Sequence, residues 1–294
     1  MKVSGFSFIK DAIKYDYPAV EAIRSILPLC DEVVVAVGKS SDQTLQLIQS
    51  IDPNKIRIVE TIWDESKREG GQVLALETDK AYEEINSNTD WAFYIQGDEV
   101  VHEKYYPVIR EAMQTYKDDD EVDGLLFHYL HFYGSYDYVA AASNFYKKEI
   151  RVVRKRPGIY SYRDAQGFRK NGNQKLRVVQ IEAYIYHYGW VRKPEAMQAK
   201  VTNFHKYWHD DTWIEDHVLK ANEFDYSAID QLSKFQGTHP QIMQARIDQQ
   251  NWTFDYDLSH NKFSIKELIK NVLFKLFKID LNYKNYELLK RGVK

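Results

Sequence analysis

Strand-like and helix-like segments alternate three times within the first hundred residues, joined by short connections, and this constrains the fold more than any other feature. Val3–Ile9 reads as a strand. Asp16 with Tyr17-Pro18 opens a helix whose buried stripe is Val20, Ile23 and Leu27, and Pro28 stops it. Val33–Val37 is an uninterrupted β-branched and apolar run, as expected of a strand covered on both faces. Ser41 or Asp42 then caps a helix carrying Leu45, Ile48 and Ile51. Ile56–Ile62 is a third strand, Trp63–Glu69 a polar loop, and Gly70-Gly71 opens a helix through Val73, Leu76 and Ala81. Trp91–Ile95 is a fourth strand. Such alternation leaves right-handed βαβ units and a parallel sheet.

The pattern then changes. After a helix near Tyr105–Tyr116 and the acidic turn Asp118–Glu121, the segments Gly124–Leu130, Ile150–Arg154 and Leu176–Tyr188 read as strands without helices between them. A mixed-sheet extension over one edge is expected. From Pro194 the chain reads as helical and aromatic, ending in a basic amphipathic segment over Lys262–Lys278. The expected division is residues 1–190 as the α/β unit (about 1–103 and 104–190 as its halves) and residues 191–294 as a C-terminal region.

Composition excludes several classes. A net charge of −3, spread along the 294 residues, carries no nucleic-acid footprint. One cysteine, Cys30, rules out an internal disulfide framework and points to a reducing compartment. The first residues, MKVSGFSFIKDA, lack the apolar core of a signal peptide, and no apolar run reaches membrane-spanning length. A cytoplasmic location is expected, with the basic tail over 262–279 a candidate for peripheral contact with the inner face of a membrane.

The chemistry gathers where strands end. In open α/β sheets ligands bind at the carboxyl edge. There the fourth strand breaks into Gln96-Gly97-Asp98-Glu99, the second into Gly38–Asp42, and the third into the loop ending at Gly70-Gly71. Tyr184–Trp190 brings His187 to the end of another strand. Carboxylate plus imidazole suits Mn²⁺ or Mg²⁺ when substrate phosphates complete the shell. The competing reading of Asp98 is a helix cap, and of His187 a satisfied core histidine. His205, His209, Asp210 and Asp211 read better as a solvated helix end than as a metal cluster.

In this setting the chain resembles glycosyltransferase family 2, of the GT-A fold, and more narrowly the branch acting in lipopolysaccharide-core and related glycan biosynthesis. The resemblance covers roughly residues 1–190. It rests on Ser40-Ser41-Asp42-Gln43-Thr44 after the second strand, on Gln96-Gly97-Asp98 in place of an Asp-x-Asp motif, and on Arg151–Arg154, Arg163-Asp164 and Ile185–Tyr188 in that order. It departs from the family at Val37-Gly38, where an aspartate pair is usual, and at Gln96.

The resemblance implies an inverting, metal-dependent transferase that moves a sugar from a nucleotide-diphosphate donor to a glycan or lipid-linked acceptor hydroxyl. It implies Asp98 as metal ligand with His187 beside it, and Asp164 as general base with Glu149 as the fallback. The implied donor-binding set is Ser7, Lys39, Asp42, Asp64, Lys67, Arg68, Gly71, Gln96, Gly97 and Arg154. Two alternatives stay open: a nucleotide-sugar-binding protein with a degenerate site, and a sugar nucleotidyltransferase. The latter would want a glycine-rich, arginine-containing loop after the first strand, where this chain has Ser4–Lys10.

Overall fold

A computed structural model describes residues 1–142, 145–206, 208, 212–213, 222–262 and 283–291. The N-terminal half alternates as expected: β1 (Val3–Ile9), α1 (Ala19–Ile26), β2 (Glu32–Gly38), α2 (Thr44–Gln49), β3 (Ile56–Thr61), α3 (Gln72–Glu84) and β4 (Trp91–Tyr94). Then follow β5 (Glu99–Val101), α4 (Tyr106–Thr115), β6 (Gly124–Tyr133), β7 (Ser135–Ala140), β8 (Lys148–Arg154) and the hairpin strands β9 (Ile159–Tyr162), β10 (Gly167–Lys170) and β11 (Gln174–Lys175). The long β12 (Arg177–Trp190), helix α5 (Pro194–His205), β13 (Leu232–Lys234), a short helix at Gln244–Asp248 and β14 (Glu287–Leu288) complete it.

Strands β4, β1, β2 and β3 lie side by side and parallel, and β8, β6, β7 and β13 extend the same sheet beyond β4 by antiparallel pairing. β12 runs parallel to β6 and also pairs β5 and β14. This is the α/β sheet, with a parallel half and a mixed extension, that the strand pattern implied.

Helices cover both faces, which is why β2 and β4 are apolar at every interior position. Val33–Ala36 and Trp91–Tyr94 are fully buried. Each large side chain removed from water in this way contributes about 1.5–3 kcal/mol. The Trp91 indole is also satisfied, donating to the Met113 carbonyl at 2.8 Å.

Beyond α5 the described residues are less helical than the sequence pattern suggests. Among the described residues it is mostly irregular, with 3₁₀ turns and the five-residue helix at Gln244–Asp248. It packs through aromatic rings, as Phe235 does on Phe132 and Phe254 on Tyr138. The tail over 263–279, and His209, Asp210 and Asp211, lie outside the described residues. No helix among the described residues is long and apolar enough to cross a membrane.

Candidate active site

A cleft of about 620 Å³ opens at the carboxyl edge of the parallel strands, between the ends of β1 and β4, the β9–β10 loop, the end of β12 and helix α5. Of the residues singled out from sequence, Gln96, Gly97, Asp98, Asp164 and His187 line it, and so does His205, which reads from sequence as part of a solvated helix end.

Asp98 follows β4 by four residues and directly precedes β5, whose first residue, Glu99, pairs with His187 of β12, so the aspartate lies beside His187. Asp98 Oδ1 lies 3.7 Å from His187 Nε2. The histidine's tautomer follows from its neighbours. The Tyr146 carbonyl can only accept, so His131 Nε2, 2.8 Å away, carries the proton. Burial and the nearby His187 push His131 down to about 3, so it is neutral and its Nδ1 accepts from His187 Nδ1 at 3.2 Å. Burial likewise pushes His187 down to about 4, against the pull of Asp98. The Nε2 of His187 therefore presents a lone pair beside a carboxylate oxygen. Two acceptors so placed call for a cation, and a carboxylate with an oriented imidazole suits Mn²⁺ or Mg²⁺.

The cradle is kept open by Gly189, where a Cβ would lie 2.6 Å from His187 Nε2 and 2.9 Å from Asp98 Oδ2. Among the described residues no third acidic, histidine or cysteine ligand joins the pair, so substrate oxygens would complete a shell. The second oxygen of Asp98 is already engaged. Lys200 Nζ, from α5, lies 3.1 Å from Oδ2 and 2.7 Å from the Gly189 carbonyl. Burial by itself raises the Asp98 carboxyl, but the attraction of Lys200 above all, with His187 and Arg192 adding to it, overcomes that and holds the group well below the usual range. Burial and the like charge of Arg192 bring Lys200 down to about 8, with Asp98 opposing.

Asp164 stands at the tip of the β9–β10 hairpin, between Arg163 and Ala165, both left-handed at φ 57° and 63°. Three contacts place this loop. Gln96 Nε2 donates to the Ala165 carbonyl at 3.1 Å and to the Tyr94 hydroxyl at 3.1 Å. Gly71, at φ 70°, lets the loop approach, since a Cβ there would lie 2.6 Å from the Asp164 Cβ. Arg151, fully buried, donates to the Gln166 carbonyl at 3.0 Å. Burial raises the Asp164 carboxyl, with the Arg163 charge opposing.

Other expectations are corrected. Glu149 does not line the cleft: it is buried, accepts from its own neighbour Ile150 N at 3.0 Å, and burial raises it to about 7. Arg154 lies at the opposite edge, because β8 runs antiparallel to β4 and its last residue pairs with Trp91, the first of β4. Its guanidinium stacks 3.9 Å over the Trp91 ring and donates to the carbonyls of Val122, Tyr116 and Asp119. Ser7 is fully buried and donates to the Ile95 carbonyl at 2.6 Å, tying β1 to β4.

Asp42 accepts from Lys14 N at 2.7 Å and Thr44 N at 2.9 Å, and the hydroxyl of Thr44 donates to it as well, so it caps and clamps the turn after β1. Lys39, Asp64 and Lys67 are exposed outside the cleft, and Asp64 caps a 3₁₀ turn through Ser66 N at 3.0 Å. Arg68 lies outside the lining too. Gly71, placed in the donor-binding set, is buried, and its N–H donates to the Arg68 carbonyl at 3.0 Å.

Sequence reasoning missed Lys200, which sits in a region of weak pattern 102 residues from Asp98. It also missed Asp11, a cleft residue whose carboxylate accepts from Ser41 N at 2.6 Å and Oγ at 3.0 Å. The apolar wall of Trp190, Phe145 and Phe204 was equally unmarked.

No protein-family model and no curated protein matches the chain. Solved structures do. S. aureus TarS in complex with UDP is 15% identical with a TM-score of 0.43, over 70% of this chain and 65% of that one. Glucosyl-3-phosphoglycerate synthase from Mycobacterium tuberculosis, in complex with Mn²⁺, UDP and phosphoglyceric acid, is 15% identical with a TM-score of 0.29, over 44% of this chain and 43% of that one. A 4-diphosphocytidyl-2C-methyl-D-erythritol synthase from Anaerococcus prevotii is 11% identical with a TM-score of 0.34, over 52% of this chain and 71% of that one. The chain spans less than two thirds of the length of the TarS structures it matches.

Proposed function

We propose that this protein is an inverting glycosyltransferase that moves a sugar from a nucleotide-diphosphate donor to a hydroxyl of a glycan or lipid-linked acceptor. The observation that carries the reading is one cleft holding both the Asp98–His187 acceptor pair and the hairpin-borne carboxylate Asp164. Asp98 and His187 would hold a divalent cation, whose chemistry is to neutralise charge on the diphosphate leaving group. Asp98 is kept ionised for that purpose by the cations around it. His187 is oriented through His131 and the Tyr146 carbonyl. Asp164 takes the proton of the acceptor hydroxyl as the sugar carbon is attacked, and Gln96 and Gly71 hold its loop in place. The aromatic wall that includes Trp190 and Tyr146 lines the same cleft.

The test is incubation with UDP-, GDP-, CMP- and dTDP-sugars, with and without Mn²⁺. A donor present at a hundred times its Kd should stabilise the fold by about 2.7 kcal/mol. Release of free nucleoside diphosphate that depends on acceptor, with an inverted anomeric signal by NMR, supports transfer. Donor binding without release would make the protein a nucleotide-sugar binder, the reading that Gln96 in place of an aspartate favours. Pyrophosphate-dependent exchange would make it a nucleotidyltransferase.

A lipid-linked acceptor of the lipopolysaccharide-assembly kind places the enzyme at the inner face of a membrane. The sequence of the tail supports this: Ile265, Leu268, Ile269, Val272, Leu273, Leu276 and Ile279 share one arc of a helical wheel, flanked by Lys266, Lys270, Lys275 and Lys278. Residues 283–291 pack on the sheet through β14 and the Asn285 carbonyl, so charge reversal of those lysines is a cleaner probe than truncation. Flotation with anionic vesicles should fall in that variant, and equal, negligible binding by both forms would remove the membrane contact.

A further inference from the structure

The cation-binding pair in the cleft already has a positive charge against it, and that charge comes from outside the α/β unit. Lys200 is the seventh residue of α5, a helix that starts four residues after β12 ends and folds back over the mouth of the cleft. Its side chain is only 15% exposed. The ammonium donates to Asp98 Oδ2 at 3.1 Å and to the Gly189 carbonyl at 2.7 Å, and lies over the rings of Tyr17 at 5.2 Å and Trp190 at 6.0 Å. An ammonium has three N–H donors, and no acceptor for the third appears among the described residues. Arg192, fully buried, adds a further cation nearby; its Nε donates to the Tyr15 carbonyl at 2.8 Å, and its Nη2 has no partner among the described residues.

A surplus of positive charge buried at this point exceeds what one carboxylate can offset. Asp98 is the acidic partner within salt-bridge distance of Lys200 among the described residues, and Arg192 has none there. Burying cations is costly unless anions meet them. An anion that enters with a ligand would offset the two cations beside Asp98, and a diphosphate supplies one.

Resting on the reading of the cleft as a nucleotide-diphosphate site, we infer that Lys200 is itself a donor-diphosphate ligand, the protein's own cation beside the one that Asp98 and His187 would hold. Lys200 holds Asp98 while the cleft is empty. When a diphosphate enters, its free N–H meets a phosphate oxygen, and the Asp98 carboxylate is released to face a metal ion. Lys200 and a divalent cation thus compete for Asp98 in the empty site and act on the same diphosphate in the filled one.

The test is calorimetric binding of UDP and GDP to the full-length protein after chelator treatment, and of Mn²⁺ alone to the nucleotide-free protein. Wild type should bind one of these nucleotides without metal. Lys200→Met keeps the stem and removes the charge. It should weaken that metal-free binding by about 10- to 100-fold and tighten Mn²⁺ binding, because the competitor for Asp98 is gone. Lys200→Arg keeps the charge and should retain nucleotide binding within several-fold of wild type. If Lys200→Met does not fold, Lys200→Gln replaces it in the comparison with Lys200→Arg. Nucleotide affinity unchanged between the charged and uncharged variants overturns the inference, leaving Lys200 a counter-ion of Asp98 only. Failure of wild type to bind any nucleoside diphosphate, with or without Mn²⁺, overturns instead the reading on which it rests.

Discussion

Lys200 Nζ and Asp98 Oδ2 lie 3.1 Å apart although 102 residues separate them in the chain. The contact joins the end of a sheet strand to a helix that sequence pattern alone would leave as a peripheral addition. It makes Asp98 both the proposed metal ligand and half of a buried ion pair, so its removal should have two separable effects.

Asp98→Ala should abolish metal-dependent donor binding and lower turnover by more than about 10²-fold. It also leaves the Lys200 ammonium buried beside Arg192 without a counter-charge, which should cost about 3–5 kcal/mol in denaturant unfolding. The double variant Asp98→Ala/Lys200→Met should recover part of that stability and none of the activity. Mn²⁺-dependent turnover surviving in the single variant would sink the assignment.

Gly189→Ala tests the cradle. The added methyl would lie 2.4 Å from His187 Cε1 and 2.9 Å from Asp98 Oδ2, so the imidazole must turn away. Mn²⁺ affinity should drop about 10- to 100-fold, the range for disturbing what orients a ligand. Unchanged Mn²⁺ binding by calorimetry would show that this pair does not hold the ion.

Asp164→Asn keeps the shape of the loop tip but cannot take a proton. Nucleotide binding should survive while transfer falls about 10²- to 10⁴-fold. The wild-type rate should rise with pH as Asp164 loses its proton, and burial places that limb above the ordinary carboxylate range. In the Asn variant the limb should vanish; its persistence would assign the base elsewhere.

Glu149 makes a prediction about stability. Burial raises its folded pKa to about 7, against an ordinary value of 4.5. Between those values the unfolded chain has released the proton that the folded protein retains, so stability falls as pH rises through that window and levels off above it. Glu149→Gln should flatten the fall and gain at most about 3 kcal/mol over wild type above pH 7. Urea unfolding at pH 4.5 and 8 checks it, and a wild-type-to-variant difference that does not move with pH rejects it.

Arg151 and Glu99 form a fully buried pair, with Nε to Oε2 at 2.8 Å and Nη2 to Oε1 at 2.7 Å, and the Tyr129 hydroxyl also donates to Oε1 at 2.8 Å. Arg151→Met should destabilise the protein by about 3–5 kcal/mol by stranding the carboxylate. It should also loosen the Asp164 loop, seen as a transfer rate that falls more than nucleotide affinity. Melting at the wild-type temperature would refute the first part.

The parallel half of the sheet was legible in the sequence because both faces of β1, β2 and β4 are buried. Continuous apolar runs such as Val33–Val37, cut by short polar turns, admit few other arrangements, and β1 falls on Val3–Ile9 as expected. Asp98 and His187 were legible as cleft residues for a related reason: strand ends at the carboxyl edge are local features, readable from where apolar runs stop, whereas Asp164 was marked only by the family resemblance and its hairpin by no sequence pattern. What tertiary structure decided is where chain direction and distant packing enter. Arg154 ends a strand just as Asp98 nearly does, yet β8 runs antiparallel and carries it to the opposite edge. Glu149 and Ser7 are polar residues whose partners close over them inside the core, which no local pattern marks. Lys200 is one lysine among many in sequence. Only the return of α5 over the cleft strips it of water and sets it against Asp98, because a charge acquires its strength from what surrounds it rather than from its place in the chain.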